Sequence, residues 1–356
     1  MDIFSLIHLA ISKSASDLHL VASSPPILRV HGLLQSVGDT LPLTAEDISQ
    51  AFNQITSDEQ RASFQRYLEL DFGYTLPDIC RLRCNASKER GTISLVIRLL
   101  PLTVHTIDEL GLPDICKELA LKTRGLVVIS GPAGSGKSTT LAVMINYLNS
   151  IESRHVVTIE DPIEYIYPNL KCVITQRELG SDTLSFAEAL KHVLRQDPDV
   201  ILVGEMRDLE TAAAVLTVAE TGHLVLTTGH APTAPQAIER IINLFPPHER
   251  YLAQSRLASS LVGVLCQALI PKADGSGRIP AVEIMLASTP VRSLIREGKI
   301  YQLPSTIRTQ ARLGMELFDQ ALIRLYRKGV IDNKNLFAFC NDRDEVAQLC
   351  GKVEVQ

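Results

Sequence analysis

The segment that decides the fold reads Leu126-Val-Val-Ile-Ser130-Gly131-Pro132-Ala133-Gly134-Ser135-Gly136-Lys137-Ser138. Its last eight residues match the pattern G-x-x-x-x-G-K-[ST] at every fixed position. The apolar run before the pattern predicts a buried strand, and a helix is expected over residues 138–148. Glycines allow backbone N–H groups to line an anion site, and the helix N-terminus adds a positive dipole end. The segment therefore predicts a loop that binds nucleotide phosphates.

The loop implies two cofactors, ATP and Mg²⁺. The Lys137 ammonium group would reach the β- and γ-phosphates, and the Ser138 hydroxyl would hold Mg²⁺. The predicted nucleotide-binding residues are Gly131, Pro132, Ala133, Gly134, Ser135, Gly136, Lys137, Ser138, Thr139 and His223.

Strand and helix signals alternate after this loop. Continuous apolar runs occupy residues 155–159, 199–203 and 223–228, and helical patterns separate them over 185–195 and 208–219. This alternation predicts an α/β domain with a parallel sheet. From about residue 235 to the end, the chain is expected to be mainly helical.

Carboxylates follow two of the predicted strands. Glu205 ends the strand 199–203 and could act as a general base toward water, whereas the alternative is a solvated carboxylate at a strand end. Glu160, Asp161 and Glu164 follow the strand 155–159. Glu160 and Asp161 are the candidate metal ligands and Glu164 is a candidate catalytic acid, but the sequence leaves open which of the three points inward, and a solvated turn is the alternative.

Two histidines flank the predicted strand 224–228. His223 precedes it and His230 follows it. Both could lie at sheet ends close to the phosphates and sense the γ-phosphate through a hydrogen bond. A structural role is the alternative for each.

The first 100 residues form a different pattern. A helix is expected over 3–11, short strands over 18–21, 27–30, 81–85 and 93–99, and Thr44 with Asp47 resembles a capping box. We therefore expect an N-terminal α+β domain over 1–100, a linker over 101–110 and the nucleotide-binding domain over 111–356.

Composition limits the classes of function. Lys and Arg number 35 against 40 Asp and Glu, aromatic residues make up 5%, and Trp is absent, which argues against a nucleic-acid partner. Seven cysteines contain no C-x-x-C pair, so free thiols in a reducing compartment are expected. Neither a secretory signal nor a membrane-spanning run is recognised, which predicts a soluble cytoplasmic protein.

The motifs in their order resemble the secretion-ATPase superfamily, and most closely its branch of PilT-type retraction ATPases of type IV pili. The resemblance rests on the phosphate loop, Thr158-Ile-Glu160-Asp161-Pro-Ile-Glu164, Asp199-Val-Ile-Leu-Val-Gly-Glu205-Met-Arg-Asp208 and Ala219-Glu-Thr-Gly-His223. Further support comes from Ala15-Ser-Asp-Leu-His-Leu20, Arg81-Leu-Arg-Cys-Asn-Ala86, Gly314-Met-Glu-Leu-Phe-Asp-Gln-Ala-Leu322 and Pro290-Val-Arg292-Ser-Leu-Ile-Arg-Glu297.

Membership in this family implies a homohexamer whose subunits carry a PAS-like N-terminal domain and a RecA-like ATPase domain. It also implies retraction of a type IV pilus, contact with an inner-membrane platform protein, and association with the membrane only through partners. The family directs N-domain arginines toward the nucleotide, and the matching positions are Arg81, Arg83 and Arg98. A solvated strand face is the alternative for Arg81 and Arg83.

Two departures from the family pattern leave other functions open. Gly229 precedes His230 where the family usually has Leu, and it is expected to loosen that strand end. Pro290 and Ser293 replace Ala and Asn in the C-terminal motif, although Pro is tolerated in a first helical turn. These departures motivate one alternative, an ATP-binding accessory subunit of a pilus or secretion motor with low turnover. A second alternative is a nucleic-acid translocase built on the same RecA-like core, against which the acidic balance and the absence of Trp argue.

Overall fold

A computed structural model describes residues 2–30, 32–38, 40–77, 79–101 and 104–350. The chain divides into two compact units. Unit 1 comprises Met1–Thr103 with Pro162–Ile166, and unit 2 comprises Val104–Asp161 with Tyr167–Gln356. Two residues of the predicted linker, Leu102 and Thr103, lie outside the described residues, whereas residues 104–110 belong to unit 2.

Unit 1 contains an antiparallel sheet with the strand order β3-β2-β1-β6-β5-β4. Its elements are α1 (Ile3–Ser12), β1 (Ala15–Leu20), β2 (Ile27–Val30), β3 (Leu33–Ser36), α2 (Ala45–Ile55), α3 (Asp58–Tyr67), β4 (Glu69–Leu76), β5 (Cys80–Glu89) and β6 (Thr92–Pro101). The predicted capping box is present at the start of α2, where the Asp47 N–H donates to the Thr44 hydroxyl at 3.1 Å and the Thr44 N–H donates to Asp47 at 3.0 Å. Fully buried side chains such as Ile7, Ile48 and Leu82 form the core.

Unit 2 contains a sheet with the order β13-β12-β7-β11-β10-β8-β9, in which only the β12–β13 pair is antiparallel among the described strands. Its strands are β7 (Gly125–Ser130), β8 (His155–Glu160), β9 (Val173–Glu178), β10 (Val200–Val203), β11 (Leu224–Thr228), β12 (Leu261–Pro271) and β13 (Arg278–Leu286). Every residue of β7, β10 and β11 is buried, as their continuous apolar sequences predict.

Helices cover the sheet of unit 2 and continue to the end of the described chain. They are α4 (Ile115–Ala120), α5 (Lys137–Ile151), α6 (Phe186–Val193), α7 (Leu209–Glu220), α8 (Ala234–Asn243), α9 (Arg250–Ser260), α10 (Thr289–Arg296), α11 (Leu303–Thr309), α12 (Phe318–Arg327), α13 (Asn333–Phe339) and α14 (Arg343–Cys350), with short 3₁₀ turns at Ile300–Gln302 and Ala311–Leu313. Among the residues that the structure describes, none of these helices combines the length and apolar character that crossing a bilayer requires.

The prediction of a mainly helical chain from residue 235 is wrong over the β12–β13 hairpin. An uncharged apolar run in this region has no periodicity that separates a buried strand from a buried helix. Pairing decides the outcome, because β12 extends the sheet beside β7 in parallel and β13 closes the hairpin. After β13 the chain is helical, and Pro290 lies in the first turn of α10 as expected.

Arg292 in α10 forms hydrogen bonds with backbone carbonyl groups at the end of α9. Its guanidinium group donates to the carbonyl oxygens of Ser259 at 2.8 Å and Leu261 at 2.7 Å, where α9 ends and β12 begins. Its Nε donates to the Ala287 carbonyl at 2.9 Å. The arginine of the C-terminal motif therefore satisfies carbonyl groups that a helix end leaves without intrahelical partners.

Glu283 joins two helix starts to the hairpin. Its side chain on β13 is 3% exposed, and its carboxylate accepts the backbone N–H of Ala234 at 2.6 Å and of Phe318 at 3.3 Å. These groups open α8 and α12, so one carboxylate lies at the positive ends of two helix dipoles. Burial raises the pKa of Glu283 above its ordinary value, and the two N–H bonds oppose that rise.

We expect Glu283→Ala to lower the free energy of unfolding by about 2–4 kcal/mol, because two buried N–H groups lose their acceptor. Urea unfolding followed by circular dichroism measures this change. Glu239→Ala is the matched control, since Glu239 is an exposed residue of α8, and it should change stability by less than about 0.5 kcal/mol. Equal stability of the two variants would contradict the assigned role.

Candidate nucleotide site

The phosphate loop lies between β7 and α5, as the sequence predicts. β7 ends at Ser130 and α5 begins at Lys137, and the glycines between them adopt positive φ angles, including +144° at Gly131 and +72° at Gly134. A Cβ atom on Gly131 would lie 2.3 Å from the backbone oxygen of Gln267, so only glycine fits there. The Lys137 ammonium group donates to the carbonyl oxygens of Gly131 and Pro132, each at 3.0 Å.

One buried hydroxyl in this loop has no hydrogen-bond partner among the described residues. Ser135 is 3% exposed, and its Oγ atom makes no hydrogen bond within the described part of the chain. Buried hydroxyl groups are normally satisfied. An orphaned donor inside a loop of this shape fits the binding of an anionic group.

The parallel register brings Glu160, Glu205 and His230 to the same edge of the sheet as the phosphate loop. Val203 pairs with Ile159 and Thr227, and Thr228 pairs with Ile129, so β7, β11, β10 and β8 end at the same edge of the sheet. In that spatial order, the phosphate loop, His230 and Glu205 follow β7, β11 and β10, and Glu160 is the last residue of β8. Since ligands of open α/β sheets bind at the carboxyl ends of the strands, this edge is the candidate site.

Glu205 lies at the middle of this edge and is held by two neighbours. Its carboxylate is 12% exposed and contacts Arg207 Nε at 2.5 Å and His230 Nε2 at 3.4 Å. The carboxylate is thus nearly buried, oriented, and placed between a cation and an imidazole. This arrangement fixes the orientation of the carboxylate, which a group that hydrogen-bonds to an attacking water requires.

Glu160 is also anchored at the same edge. Its Oε1 accepts hydrogen bonds from the Thr158 hydroxyl at 2.7 Å and from the Gln176 amide at 3.3 Å. Asp161 follows it directly in unit 2, whereas Glu164 belongs to unit 1. The described residues contain no cluster of three or more His, Cys, Asp or Glu side chains that could hold a metal ion. Ser138, Glu160 and Asp161 nevertheless offer oxygen ligands. Oxygen ligands fit Mg²⁺, because this ion uses few protein ligands together with phosphates and water.

The three arginines of unit 1 share one face of its sheet. Arg83 lies opposite Arg98 in the β5–β6 pairing, and Arg81 is two residues from Arg83. Arg83 forms an ion pair with Glu164 at 3.2 Å, and Arg98 pairs with the buried Asp17 at 2.9 Å.

Arg81 also contacts neutral groups of unit 1. It donates to the Thr75 hydroxyl at 2.7 Å and to the Ile163 carbonyl at 3.3 Å. The face is therefore not simply solvated, because each of the three guanidinium groups has a specific partner within unit 1.

The expectation that His223 lies near the phosphates of its own chain is wrong. His223 precedes β11, and Leu224 at the start of β11 pairs with Gly125 at the start of β7. The phosphate loop leaves the other end of β7, which is roughly 16 Å away at the rise of a parallel strand. The imidazole instead lies 3.1 Å from the Thr221 hydroxyl.

The expectation that Gly229 loosens the strand end is also not supported by the structure. The Gly229 N–H donates to the Ile129 carbonyl at 2.9 Å, and the Ser130 hydroxyl donates to the Ala231 carbonyl at 2.7 Å. A Cβ atom at position 229 would lie 3.0 Å from the Ser130 hydroxyl oxygen. Glycine thus permits the close approach of this segment to Ser130, and hydrogen bonds hold the backbone at the residues before and after His230.

Two residues of the site were not identified from the sequence. Arg207 lies two positions after Glu205, and this proximity could have signalled a charge partner for the carboxylate. Gln267 lies inside the uncharged run of β12 and contacts the phosphate loop. Its sequence neighbourhood contains no recognisable signal, because the contact depends on the pairing of β12 with β7.

The fold and this edge define a P-loop nucleotide-binding protein of the α/β class. Residues 5–302 match the family model described as type II/IV secretion system protein. The chain is 44% identical over 335 residues to the type IV pilus retractation ATPase PilT of Pseudomonas aeruginosa, which covers 94% of this chain and 97% of that protein. It is also 44% identical over 330 residues to a twitching motility protein of Neisseria gonorrhoeae, covering 92% and 88% of the two chains.

A solved structure gives the same result. The crystal structure of the pilus retraction motor PilT with bound ADP superposes with a TM-score of 0.91 at 40% identity and covers 98% of this chain and 99% of that chain. The chain therefore belongs to the type II/IV secretion system protein family and, within it, to the PilT-type ATPases. The predicted α/β fold with a parallel sheet is confirmed.

Two glycines of the loop should differ in their tolerance of a side chain. We expect Gly131→Ala to lower the free energy of unfolding by about 3 kcal/mol, because its Cβ would collide with backbone. Gly134→Ala meets open space and carries only the cost of its positive φ, about 1 kcal/mol. Urea unfolding of both variants tests this order, and a larger loss in Gly134→Ala would contradict it.

Proposed function

We propose that this protein is a Mg²⁺-dependent ATPase that hydrolyses ATP to ADP and phosphate and thereby drives the retraction of a type IV pilus. The observation that carries the proposal is the alignment of Glu205 and His230 with the phosphate loop at one sheet edge. The similarity to retraction ATPases over nearly the whole chain supports the same function.

Each group at this edge has a definite task in the proposed reaction. The Lys137 ammonium group exchanges its loop carbonyl partners for the β- and γ-phosphates, and loop N–H groups bind phosphate oxygens. Glu205 accepts a proton from the attacking water, and His230 lies beside it to contact the γ-phosphate or the water. Bound Mg²⁺ would neutralise phosphate charge; Ser138, Glu160 and Asp161 are its candidate ligands, directly or through water.

The unit 1 arginines and Glu164 remain candidates for a supporting role in catalysis. A guanidinium group near the γ-phosphate stabilises charge that develops during the reaction. To do this, Arg83 would have to exchange Glu164 for a phosphate, and Arg98 would have to exchange Asp17. The existing ion pairs thus offer a way to hold these arginines until a nucleotide is bound.

The proposed assembly is a homohexamer. It would act at the cytoplasmic face of the inner membrane, where a platform protein of the pilus machine would hold it without any membrane insertion of its own. The relatives named as pilus retraction and twitching motility proteins support a role in a pilus machine. The proposed domain organisation is an N-terminal domain over residues 1–100, a linker over 101–110 and an ATPase domain over 111–356.

Two substitutions separate nucleotide binding from chemistry. Lys137→Ala should weaken ATP binding at least tenfold, because it removes the phosphate-binding charge. Glu205→Gln should retain ATP binding but lower kcat by about 10²- to 10⁴-fold, because the amide cannot accept the proton. Calorimetric titration with ATP and a phosphate-release assay with and without Mg²⁺ measure both effects.

The same assays distinguish the alternative functions. Robust Mg²⁺-dependent turnover that Glu205→Gln abolishes excludes an accessory subunit of low activity. Strong stimulation of turnover by single-stranded DNA would instead favour a translocase. Normal turnover in Lys137→Ala would contradict the proposed site.

We expect deletion of the gene to leave surface pili that no longer retract, and complementation with the wild-type gene, but not with Glu205→Gln, to restore retraction. Fluorescently labelled pili followed by microscopy measure the retraction frequency. Light scattering of the purified protein should give the mass of six subunits. Normal retraction after deletion would contradict the proposed function.

A further inference from the structure

The buried side of the phosphate loop rests on one side chain from the sheet. Gln267 on β12 is 2% exposed, and its Nε2 donates to the carbonyl oxygen of Ser135 at 2.7 Å. Its Oε1 accepts a hydrogen bond from the hydroxyl group of Thr140, in the first turns of α5, with an oxygen–oxygen distance of 2.9 Å. One amide group thus spans the loop and the helix that follows it.

The position of Gln267 follows from strand pairing. Cys266 pairs with Ser130, the last residue of β7, so Gln267 lies beside the first residue of the loop. Its backbone oxygen is the atom that excludes a Cβ atom from Gly131, and its Nε2 would lie 3.3 Å from a Cβ atom on Gly136. The loop is therefore packed on Gln267 through both the backbone and the side chain.

The hydrogen bond to Ser135 determines which way a peptide group faces. In a trans peptide, the carbonyl and the following N–H point in opposite directions. Because the Ser135 carbonyl is held toward Gln267, the Gly136 N–H is directed away from β12, to the other side of the loop. Anion-binding loops require N–H groups to face the ligand before it arrives.

We propose that Gln267 is a positioning residue that holds the phosphate loop in its nucleotide-binding conformation. It acts through the Ser135–Gly136 peptide and Thr140 and touches neither the nucleotide nor the metal. The proposal rests on the proposed function, because it assumes that this loop binds ATP and ADP. It predicts a cost in nucleotide affinity, since a loop without this support must be ordered by the ligand itself.

Gln267→Ala should raise the Kd for ADP and the KM for ATP about tenfold, while kcat changes less than about twofold. The bound nucleotide restores the loop geometry, so the chemical step is spared. Gln267→Glu has the same shape but replaces the donor toward Ser135 with an oxygen, and it should lose at least as much affinity. Calorimetric titration with ADP and steady-state kinetics with ATP supply these values.

Asn149 offers a control for a loss of stability without a loss of loop support. It is fully buried at the far end of α5, where it donates to the Pro168 carbonyl and accepts the N–H groups of Leu170 and Cys172. Asn149→Ala and Gln267→Ala should both lower the thermal midpoint, because each leaves buried hydrogen-bond partners unpaired, but Asn149→Ala should leave the Kd for ADP unchanged.

Thr140 provides a second pair of variants should Gln267→Ala fail to fold. Thr140→Val removes the hydroxyl and should raise the Kd for ADP about threefold, whereas Thr140→Ser keeps it and should bind ADP like the wild type. If the wild type binds ADP and the Gln267 variants bind it equally well, or no worse than Asn149→Ala, the positioning role is overturned. If the wild type itself does not bind ADP, the proposed function fails instead.

Discussion

The parallel register of β7, β11, β10 and β8 is the constraint on which the site depends. Adjacent strands that run in the same direction end together, so residues far apart in sequence meet at one edge. The phosphate loop, His230, Glu205 and Glu160 come from four strands and need no loop of unusual length to reach each other. The same register separates His223 from this edge, because it precedes its strand instead of following it.

The parts of the structure that depend on local sequence were predictable. The phosphate loop, the capping box of α2 and the strands with continuous apolar runs all carry short-range signals, and each is present. The β12–β13 hairpin was missed because its apolar sequence suits a helix or a strand, and only pairing with β7 and within the hairpin decides between them. Arg207 and Gln267 were missed for a related reason, since their roles depend on what lies opposite them in space.

Buried polar groups connect the elements that the apolar core alone would only pack together. Glu283 joins β13 to α8 and α12, and Asn149 joins the end of α5 to the segment before β9. Arg292 performs a similar task for the end of α9. Glu283 and Asn149 are buried, and each satisfies two or more backbone groups, so the loss of either side chain leaves partners unpaired in the interior, which is costly.

The place of β12 in the chain has a consequence for biosynthesis. This strand lies next to β7 in the sheet, yet more than a hundred residues separate the two along the chain. During translation, β7, β8, β10 and β11 leave the ribosome while their neighbour on the other side of β7 has not yet been made. The phosphate loop thus acquires its supporting amide only after residue 267 has been made, and a product that stops before residue 261 displays the motif without the strand on which it rests.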